Sequence, residues 1–274
     1  MVPEKGSKMS STVTKALALL DHFSEDDPEI GLSDLARRAG LDKATVHRML
    51  NAMADSGLVE QTSSTKLYRL GAGVLRLARV RETVFPVTAV FQAALDRLST
   101  ATGETAHASL ISGRALATIG FSESNRSNRV SLVAGEILPI HSTASGLSVL
   151  AFSSKDFVNK VLASPLSAKT KATVTDSDAL QTSIAKASDN GFAIADQTNE
   201  EEVYGIAVPV FGSDGFACGA LAVATPIHRM NDTLRGQIVQ SLFDEVANTT
   251  FGIGGRVPTD FSTKIEKSLS KMGL

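Results

Sequence analysis

The chain has 274 residues, of which 43% are hydrophobic and 20% are charged, and its formal net charge is −2. This composition is ordinary for a soluble globular protein and excludes a wholly disordered chain, and the length favours two domains. No apolar run approaches the roughly 18 residues that span a bilayer, and the polar start, MVPEKGSKMS, lacks the apolar core of a signal peptide, so we expect a cytoplasmic protein. The single cysteine, Cys218, excludes an intramolecular disulfide and a cysteine-rich zinc cluster.

The beginning of the chain has the pattern of three short helices. Apolar residues recur at helical spacing over residues 13–23, after a stretch at residues 1–10 that we expect to be disordered. Ser33 can cap a second helix, SDLARRA, and Gly40 follows where a tight turn tolerates a left-handed residue. Asp42 can then cap a third helix, whose apolar face would consist of Val46, Met49, Leu50 and Met53.

A hairpin and a connecting helix follow. The runs LVEQ and KLYRL alternate in polarity and are separated by the polar loop TSSTK, which predicts a pair of strands. Helix, tight turn, helix and hairpin in this order predict a winged helix-turn-helix domain over residues 11–72. A linker helix over residues 73–86 must stop near Phe85, because Pro86 follows, and the domain boundary belongs there.

The rest of the chain mixes helical and alternating patterns. An amphipathic helix from Val87 precedes the strands TAHASLI, ALATIGF and RVSLVAG and the helix ASGLSVLAF. After two more helices, the strands GFAIA, GIAVPVF and ACGALAVA lead to a final helix from Asp232 to about Phe251. This order predicts an α+β domain with a mainly antiparallel sheet over residues 87–253, followed by a poorly ordered tail at residues 254–274.

The outer face of the third helix is suited to contact with DNA. The residues that point away from its apolar face are small or can donate a hydrogen bond, and residues 33–81 carry nine Lys and Arg against four Asp and Glu. A local excess of positive charge predicts a polyanionic partner, and the second helix of a helix-turn-helix enters the major groove of double-stranded DNA. Such a face often serves only solvation, but the turn, the hairpin and the charge together favour DNA binding.

The candidate DNA contacts divide by their position. The first turn of the third helix and the hairpin are suited to phosphates, whereas the later turns of the helix can reach base edges. The expected phosphate contacts are Lys43, Thr45, Ser64, Lys66 and Arg69. The expected base contacts are Ala44, His47, Arg48 and Asn51, and Ser33 at the start of the second helix completes the set. Arg48 suits guanine and Asn51 suits adenine.

A second candidate site lies in PIHSTASG, where the chain leaves a strand at His141 and enters a helix near Ser145. Unpaired amides at a helix N-terminus, together with hydroxyl donors, can bind a carboxylate. The groups concerned belong to Ser142, Thr143, Ala144, Ser145 and Gly146. Plain helix capping, which needs only one of these hydroxyls, remains the alternative.

Three blocks of the chain resemble one family. LSDLARRAGLDKATVHRMLNAMADSGLVE followed by LYRLG resembles the winged helix of IclR-type bacterial transcription regulators. GEILPIHSTASGLSVLAF and GFAIADQTNEEEVYGIAVPVFGSDGFACGALAVATP resemble two signatures of that family's effector-binding domain. The resemblance extends over about residues 11–251. It implies a GAF-like effector domain, a homodimer that often pairs into a tetramer, and a small organic acid or related metabolite as effector.

The resemblance also implies further pocket residues and a mode of action. Carried over by position, the family's pocket includes Leu138, Asp196, Val203, Tyr204, Gly205, Ala222 and Ala224. Family members commonly have lysine at the position of Leu147, and some have polar or thiol groups where this chain has glycine and alanine. The pocket should therefore favour a short ligand with an apolar segment, such as a semialdehyde, a lactone-derived hydroxy acid or a small aromatic acid. Similarity to regulators of γ-butyrolactone breakdown suggests succinate semialdehyde, and family habit suggests a repressor that its ligand releases.

Other classes of function find little support in the sequence. The G-x-S-x-G pentapeptide of an esterase does not occur, GAGVLR fails the dinucleotide-binding fingerprint, and five scattered histidines give no metal-ligand spacing. The acidic segment NEEEV is interpreted as a solvated turn. We therefore expect a regulator without enzymatic activity, cofactor or metal. The alternative is a small-molecule hydrolase or sensor module whose winged helix makes protein contacts.

Overall fold

The structure is a computed structural model that describes residues 7–24, 27–84 and 86–273. The chain forms two compact units, Met1–Pro86 and Val87–Leu274. None of the described helices is long and apolar enough to cross a membrane.

The described residues of the first unit form four α-helices and a small hairpin. In chain order these are α1 (Ser7–Ala18), a 3-10 turn (Leu20–His22), α2 (Leu32–Ala39), α3 (Lys43–Asp55), β1 (Val59–Gln61), β2 (Tyr68–Leu70) and α4 (Ala72–Val84). Strands β1 and β2 are antiparallel, with Val59 opposite Leu70. This is the predicted winged helix-turn-helix. Of the predicted N-terminal disorder, residues 1–6 lie outside the described residues, while residues 7–10 belong to α1.

Local chemistry fixes the turn between α2 and α3. Gly40 has a φ of +63°, which costs glycine little, and it ends α2. Asp42 caps α3 by accepting a hydrogen bond from the Thr45 amide at 2.8 Å. The predicted cap at Ser33 is wrong, because α2 begins one residue earlier at Leu32 and the residue before it, Gly31, has no capping side chain. The apolar face of α3 packs into the core of this unit as predicted, through Val46, Met49, Leu50 and Met53.

The second unit is a six-stranded sheet with helices on both faces. Its strands are β3 (Thr105–Ser112), β4 (Ala115–Ser122), β5 (Ile137–Pro139), β6 (Ala193–Asp196), β7 (Val203–Phe211) and β8 (Ala217–Pro226). Its helices are α5 (Val87–Thr102), α6 (Ala144–Ala151), α7 (Lys155–Leu162), α8 (Ser177–Asn190), α9 (Asp232–Gly252) and α10 (Thr259–Met272). The strand order is β5-β4-β3-β8-β7-β6, with every neighbouring pair antiparallel, which confirms the predicted α+β class.

The alternation of side chains along β7 and β8 gives the sheet two different faces. One face packs against α5 and α9 and is apolar, with Ile206 and Val223 completely buried. The other packs against α6, and near the start of that helix the contact consists of alanines: Ala144, Ala195, Ala207 and Ala222. Because alanine side chains are short, this end of the α6 face leaves room for a cavity.

Two expectations about the second unit are wrong. RVSLVAG is a loop rather than a strand, and the Val130 carbonyl in it accepts a hydrogen bond from the Thr105 hydroxyl at 2.7 Å instead of joining a ladder. The predicted disordered tail contains α10. Phe261 in α10 is fully buried, and its ring centroid lies 5.0 Å from those of Phe152 and Phe211. Helix α10 is therefore part of the core of the second unit.

Candidate functional site

The outer face of α3 presents most of the predicted DNA contacts to solvent. Lys43, Ala44, His47, Arg48 and Asn51 are exposed, and Thr45 is half-buried. Arg48 Nη2 lies 3.4 Å from Thr45 Oγ1, along the helix surface. Because the opposite face of α3 is anchored in the core, these side chains project from a fixed element, as recognition of base edges requires.

The basic side chains of this unit differ in whether they are paired. Arg37 bonds Asp34 and Arg38 bonds Asp27, each at 2.6 Å. In the part of the chain that the structure describes, Lys43, Arg48 and Lys66 form no ion pair. Three cations without an ion pair in the described chain therefore lie on α3 and at the loop of the hairpin, where DNA contacts are predicted.

Arg69 is less available for phosphate than the sequence predicts. Its guanidinium lies 2.6 Å from the Glu60 carboxylate and 3.4 Å from that of Glu29. The hydrogen bond to Glu60 raises the pKa of Arg69, and the two carboxylates offset its charge. Lys66 has a φ of +60° in the loop, where it is exposed like Ser64, and Ser33 is exposed on α2.

A cavity of about 500 Å³, including its open mouth, lies between the start of α6 and the sheet. Eight of the predicted effector-site residues line it: Leu138, Thr143, Ala144, Ser145, Val203, Gly205, Ala222 and Ala224. They come from β5, α6, β7 and β8, so the fold brings together segments that are up to 86 residues apart in the sequence. The floor is apolar, as the glycine and alanines in these strands predicted.

Two predicted residues lie on the wrong side of the sheet. Tyr204 alternates with Val203 and Gly205 and therefore points to the α5 and α9 face, where it joins the apolar core. Asp196 alternates in the same way with Ala195, which lines the cavity, and it is exposed at the end of β6. Neither side chain can contact a ligand in the cavity.

Two other predicted residues lie next to the cavity but do not line it. His141 is buried, and its Nε2 lies 3.0 Å from the Ser167 carbonyl oxygen. Gly146 serves packing, because a Cβ at this position would lie 2.0 Å from the Ile140 carbonyl oxygen. Gly146 therefore allows α6 to start directly against the end of β5.

The N-terminus of α6 offers both a cap and free donors. The Thr143 hydroxyl caps α6 by accepting a hydrogen bond from the Gly146 amide at 3.1 Å, and it donates its proton to the Pro139 carbonyl at 3.0 Å, so that proton is not available to a ligand. The amides of Ala144 and Ser145 have no acceptor within the described chain. Because both residues line the cavity, unpaired amides and the positive end of the helix dipole lie beside it.

Six residues that the sequence did not predict complete the lining: His107, Val130, Leu132, Ala195, Asn199 and Glu200. Val130 and Leu132 belong to the segment expected to be a strand, and Glu200 to the NEEEV segment expected to be a solvated turn. A usable signal existed for His107, since it is a large polar residue in the middle of the otherwise small or apolar run TAHASLI.

His107 is the most deeply buried titratable group of the cavity. It is 8% exposed, and its Nε2 lies 3.3 Å from Ser145 Oγ. Its Nδ1 has no hydrogen-bond partner among the described residues. Burial lowers the pKa of His107 to about 4, so the imidazole is neutral at pH 7 and offers one donor and one acceptor.

The stability of the second unit should depend on pH through His107. In the unfolded chain its pKa is 6.5, and in the folded chain about 4, so the unfolded chain binds more protons between these values. We expect this contribution to the free energy of unfolding to be constant above pH 6.5 and to fall by about 3 kcal/mol as pH approaches 4. Urea unfolding at pH 7, 5.5 and 4.5 measures it. The wild type should lose more stability across this series than His107→Gln, and parallel losses would contradict the assignment.

Comparisons with known proteins match both units. The IclR helix-turn-helix domain matches residues 12–63, and the domain described as bacterial transcriptional regulator IclR C-terminal matches residues 83–249. The probable transcriptional regulator SauR of Cupriavidus necator is 30% identical over 245 residues, which cover 88% of this chain and 97% of SauR.

Two solved structures extend the comparison. A protein from Silicibacter sp. TM1040, classed as an IclR transcriptional regulator, is 43% identical with a TM-score of 0.85, covering 91% of this chain and 99% of that one. An IclR homologue from Microbacterium hydrocarbonoxydans, solved in complex with 4-hydroxybenzoate, is 25% identical with a TM-score of 0.67, covering 89% and 99%.

The helix-turn-helix unit and the antiparallel-sheet unit both match domains of bacterial transcriptional regulators, so the protein is a DNA-binding transcriptional regulator. With both of its units matched, the chain belongs to the IclR family of these regulators.

Proposed function

We propose that this regulator is a repressor and that a small organic acid or semialdehyde in the α6 cavity releases it from its operator. The observation that carries the proposal is the cavity itself, where unpaired amides, the Ser145 hydroxyl and a neutral His107 border an apolar floor. Such a site suits a short molecule with one polar end. Repression, rather than activation, rests on the habit of the family.

The resemblance supports the choice of site and ligand class. The homologue from Microbacterium hydrocarbonoxydans binds 4-hydroxybenzoate, which is a small organic acid. In this chain Gly205, Ala222 and Ala224 keep the floor free of polar side chains. Succinate semialdehyde, suggested by the similarity to regulators of γ-butyrolactone breakdown, is one compound to test.

In the DNA complex, we propose that α3 enters the major groove with Ala44, His47, Arg48 and Asn51 at base edges. Lys43 and Thr45 in its first turn, with Ser33, Ser64 and Lys66, would contact phosphates. Arg69 would have to exchange its carboxylate partners for a phosphate, so its contribution should be smaller than that of Lys43.

A homodimer is part of the proposal. Helices α1 and α4 expose large apolar side chains, among them Leu17, Leu75 and Val80, each more than half exposed. Exposed apolar surface of this kind marks a protein interface. A dimer would place two recognition helices on two half-sites, and pairing of dimers would give the tetramer that the family implies.

We further propose that α4 transmits effector binding by changing the spacing of the recognition helices. The end of the predicted linker at Phe85 lies outside the described residues.

We propose that the cavity binds its ligand without turnover. Ser145 and His107 form a nucleophile and base pair at 3.3 Å, which is the observation in favour of the hydrolase alternative. The described residues provide no carboxylate to orient His107 through Nδ1, and burial makes its imidazole a weak base at neutral pH. Absence of hydrolysis of short esters and lactones by the pure protein is the expected result.

The proposal is tested by titrating labelled operator DNA with the full chain. The operator is first selected from a random DNA pool with the wild-type protein. We expect binding that weakens as salt rises, because phosphate contacts release counterions, and a lower operator affinity when the cavity is occupied.

A further inference from the structure

The charges around the α6 cavity are all of one sign. Glu200 is the one side chain in the described lining that carries a charge at neutral pH, because His107 is neutral and neither Lys nor Arg lines the cavity. Glu136, just before β5, interacts with Glu200, and burial together with this second carboxylate raises the pKa of Glu200. Leu147, one turn into α6, is apolar and buried in the core, so it brings no positive charge to the cavity.

The fold holds Glu200 in this position. It lies in the loop between β6 and β7, which is tied to the residues just before α6 by two hydrogen bonds. Thr198 Oγ1 donates to the Ser142 carbonyl at 2.6 Å, and Ser142 Oγ donates to Asn199 Oδ1 at 2.9 Å. Gln197 and Glu202, at the two ends of the loop, have φ values of 57° and 63°. Non-glycine residues adopt such angles when surrounding contacts impose them, so the loop conformation is specified.

The polar groups of the cavity are separated by depth. Ser145 is 1% exposed and His107 is 8% exposed, so the donors at the start of α6 lie deep, whereas Glu200 is exposed and therefore lies at the mouth. The deep donors suit a carboxylate or carbonyl oxygen. A group at the mouth meets a carboxylate, which attracts a hydrogen-bond donor and repels a second negative charge.

We infer that the cavity selects a short monocarboxylate whose far end carries a hydrogen-bond donor, a hydroxyl or an ammonium, held by Glu200, and that it rejects dicarboxylates. The inference rests on the proposed function and narrows its class of ligands. An aldehyde can only accept a hydrogen bond, so it gains nothing from an ionised Glu200. A semialdehyde should therefore bind with about the affinity of the acid of the same length that has no polar group at its far end. Glu200 is then a specificity-determining residue.

A series of four-carbon acids tests this inference, because its members differ only at the end away from one carboxylate. The probes are butanoate, succinate semialdehyde, 4-hydroxybutanoate, 4-aminobutanoate and succinate, with the five-carbon homologues as a second series. Dissociation constants are measured by calorimetry on the full chain. We expect the hydroxy and amino acids to bind about threefold to tenfold more tightly than butanoate, and succinate to bind more weakly by a similar factor, since a pair at the mouth is partly screened.

Two variants that remove the same charge show whether Glu200 itself, rather than the acidic loop as a whole, determines the ligand preference. In Glu200→Gln the advantage of the amino acid and the penalty of succinate should both shrink to about twofold or less. Glu201→Gln, at the exposed neighbouring position outside the lining, should keep the wild-type order. Succinate binding as tightly as butanoate, equal effects of the two variants, or no binding by any member of the series would overturn the inference. If the affinities of the series follow the expected order but none of its members changes operator affinity, the proposed function is contradicted instead.

Discussion

Replacing Arg48 with alanine is expected to weaken operator binding by about tenfold to a hundredfold and to relax sequence preference at one base pair. The side chain is exposed on α3, forms no ion pair in the described chain, and can reach a guanine edge with two donors. Losing a bidentate base contact costs about 1–3 kcal/mol, and only the site that contains that base pair should suffer the full loss. Anisotropy titrations on the selected operator and on operators with single substitutions measure both effects.

Two further variants serve as comparisons for Arg48→Ala. Lys43→Ala should weaken binding to all DNA sequences alike and reduce the slope of log affinity against log salt by about one, as expected for a phosphate contact. Lys186→Ala removes the same charge from an exposed position on α8 and should leave operator affinity unchanged. Unchanged affinity in both Arg48→Ala and Lys43→Ala would mean that α3 is not the recognition helix.

Gly146→Ala is expected to destabilise the second unit by about 3 kcal/mol or more, a large effect for one methyl group. The added Cβ would lie 2.0 Å from the Ile140 carbonyl oxygen and 2.5 Å from its carbonyl carbon, and both atoms are backbone, so a side-chain movement cannot relieve the clash. Either α6 or the end of β5 has to shift. Urea unfolding followed by circular dichroism gives the free energy of unfolding.

Gly120→Ala is the matched control. Its added Cβ would meet Gln92 and Leu95 side-chain atoms at 3.4 and 3.5 Å, which is ordinary contact. The control variant should therefore lose much less stability than Gly146→Ala. Equal stability of Gly146→Ala and the wild type would show that the start of α6 does not pack as tightly as the structure has it, and the position of the cavity would then be wrong as well.

The sequence predicted the first unit well, because short-range chemistry determines it. The left-handed residue at Gly40, the cap at Asp42 and the apolar face of α3 each depend on residues within one or two turns. The cap assigned to Ser33 was wrong by two positions, because the cap residue is Gly31; several neighbouring residues can start a helix, and the sequence alone does not choose between them.

The cavity was predicted only in part, because its lining depends on contacts between distant segments. The resemblance identified the strands that contribute, but Tyr204 and Asp196 point to the other face of the sheet. Which side chains of a strand face the cavity depends on how the strand pairs with its neighbours. Glu200 had no local pattern that distinguished it from a solvated acid. Its position follows from the hydrogen bonds of Thr198 and Asn199 to Ser142, which is 56 residues away from Thr198.

The central claim is that occupancy of the α6 cavity controls operator binding, and one titration tests it most directly. Labelled operator is titrated with the wild type and with Ala224→Leu, which adds bulk to the cavity floor beside Gly205, in each case with and without a saturating ligand from the four-carbon series. The ligand should raise the operator Kd of the wild type by about fivefold to a hundredfold and leave that of Ala224→Leu unchanged, while both proteins bind operator equally without ligand. A ligand that binds in the cavity of the wild type and leaves its operator Kd unchanged, or lowers it, would contradict the account.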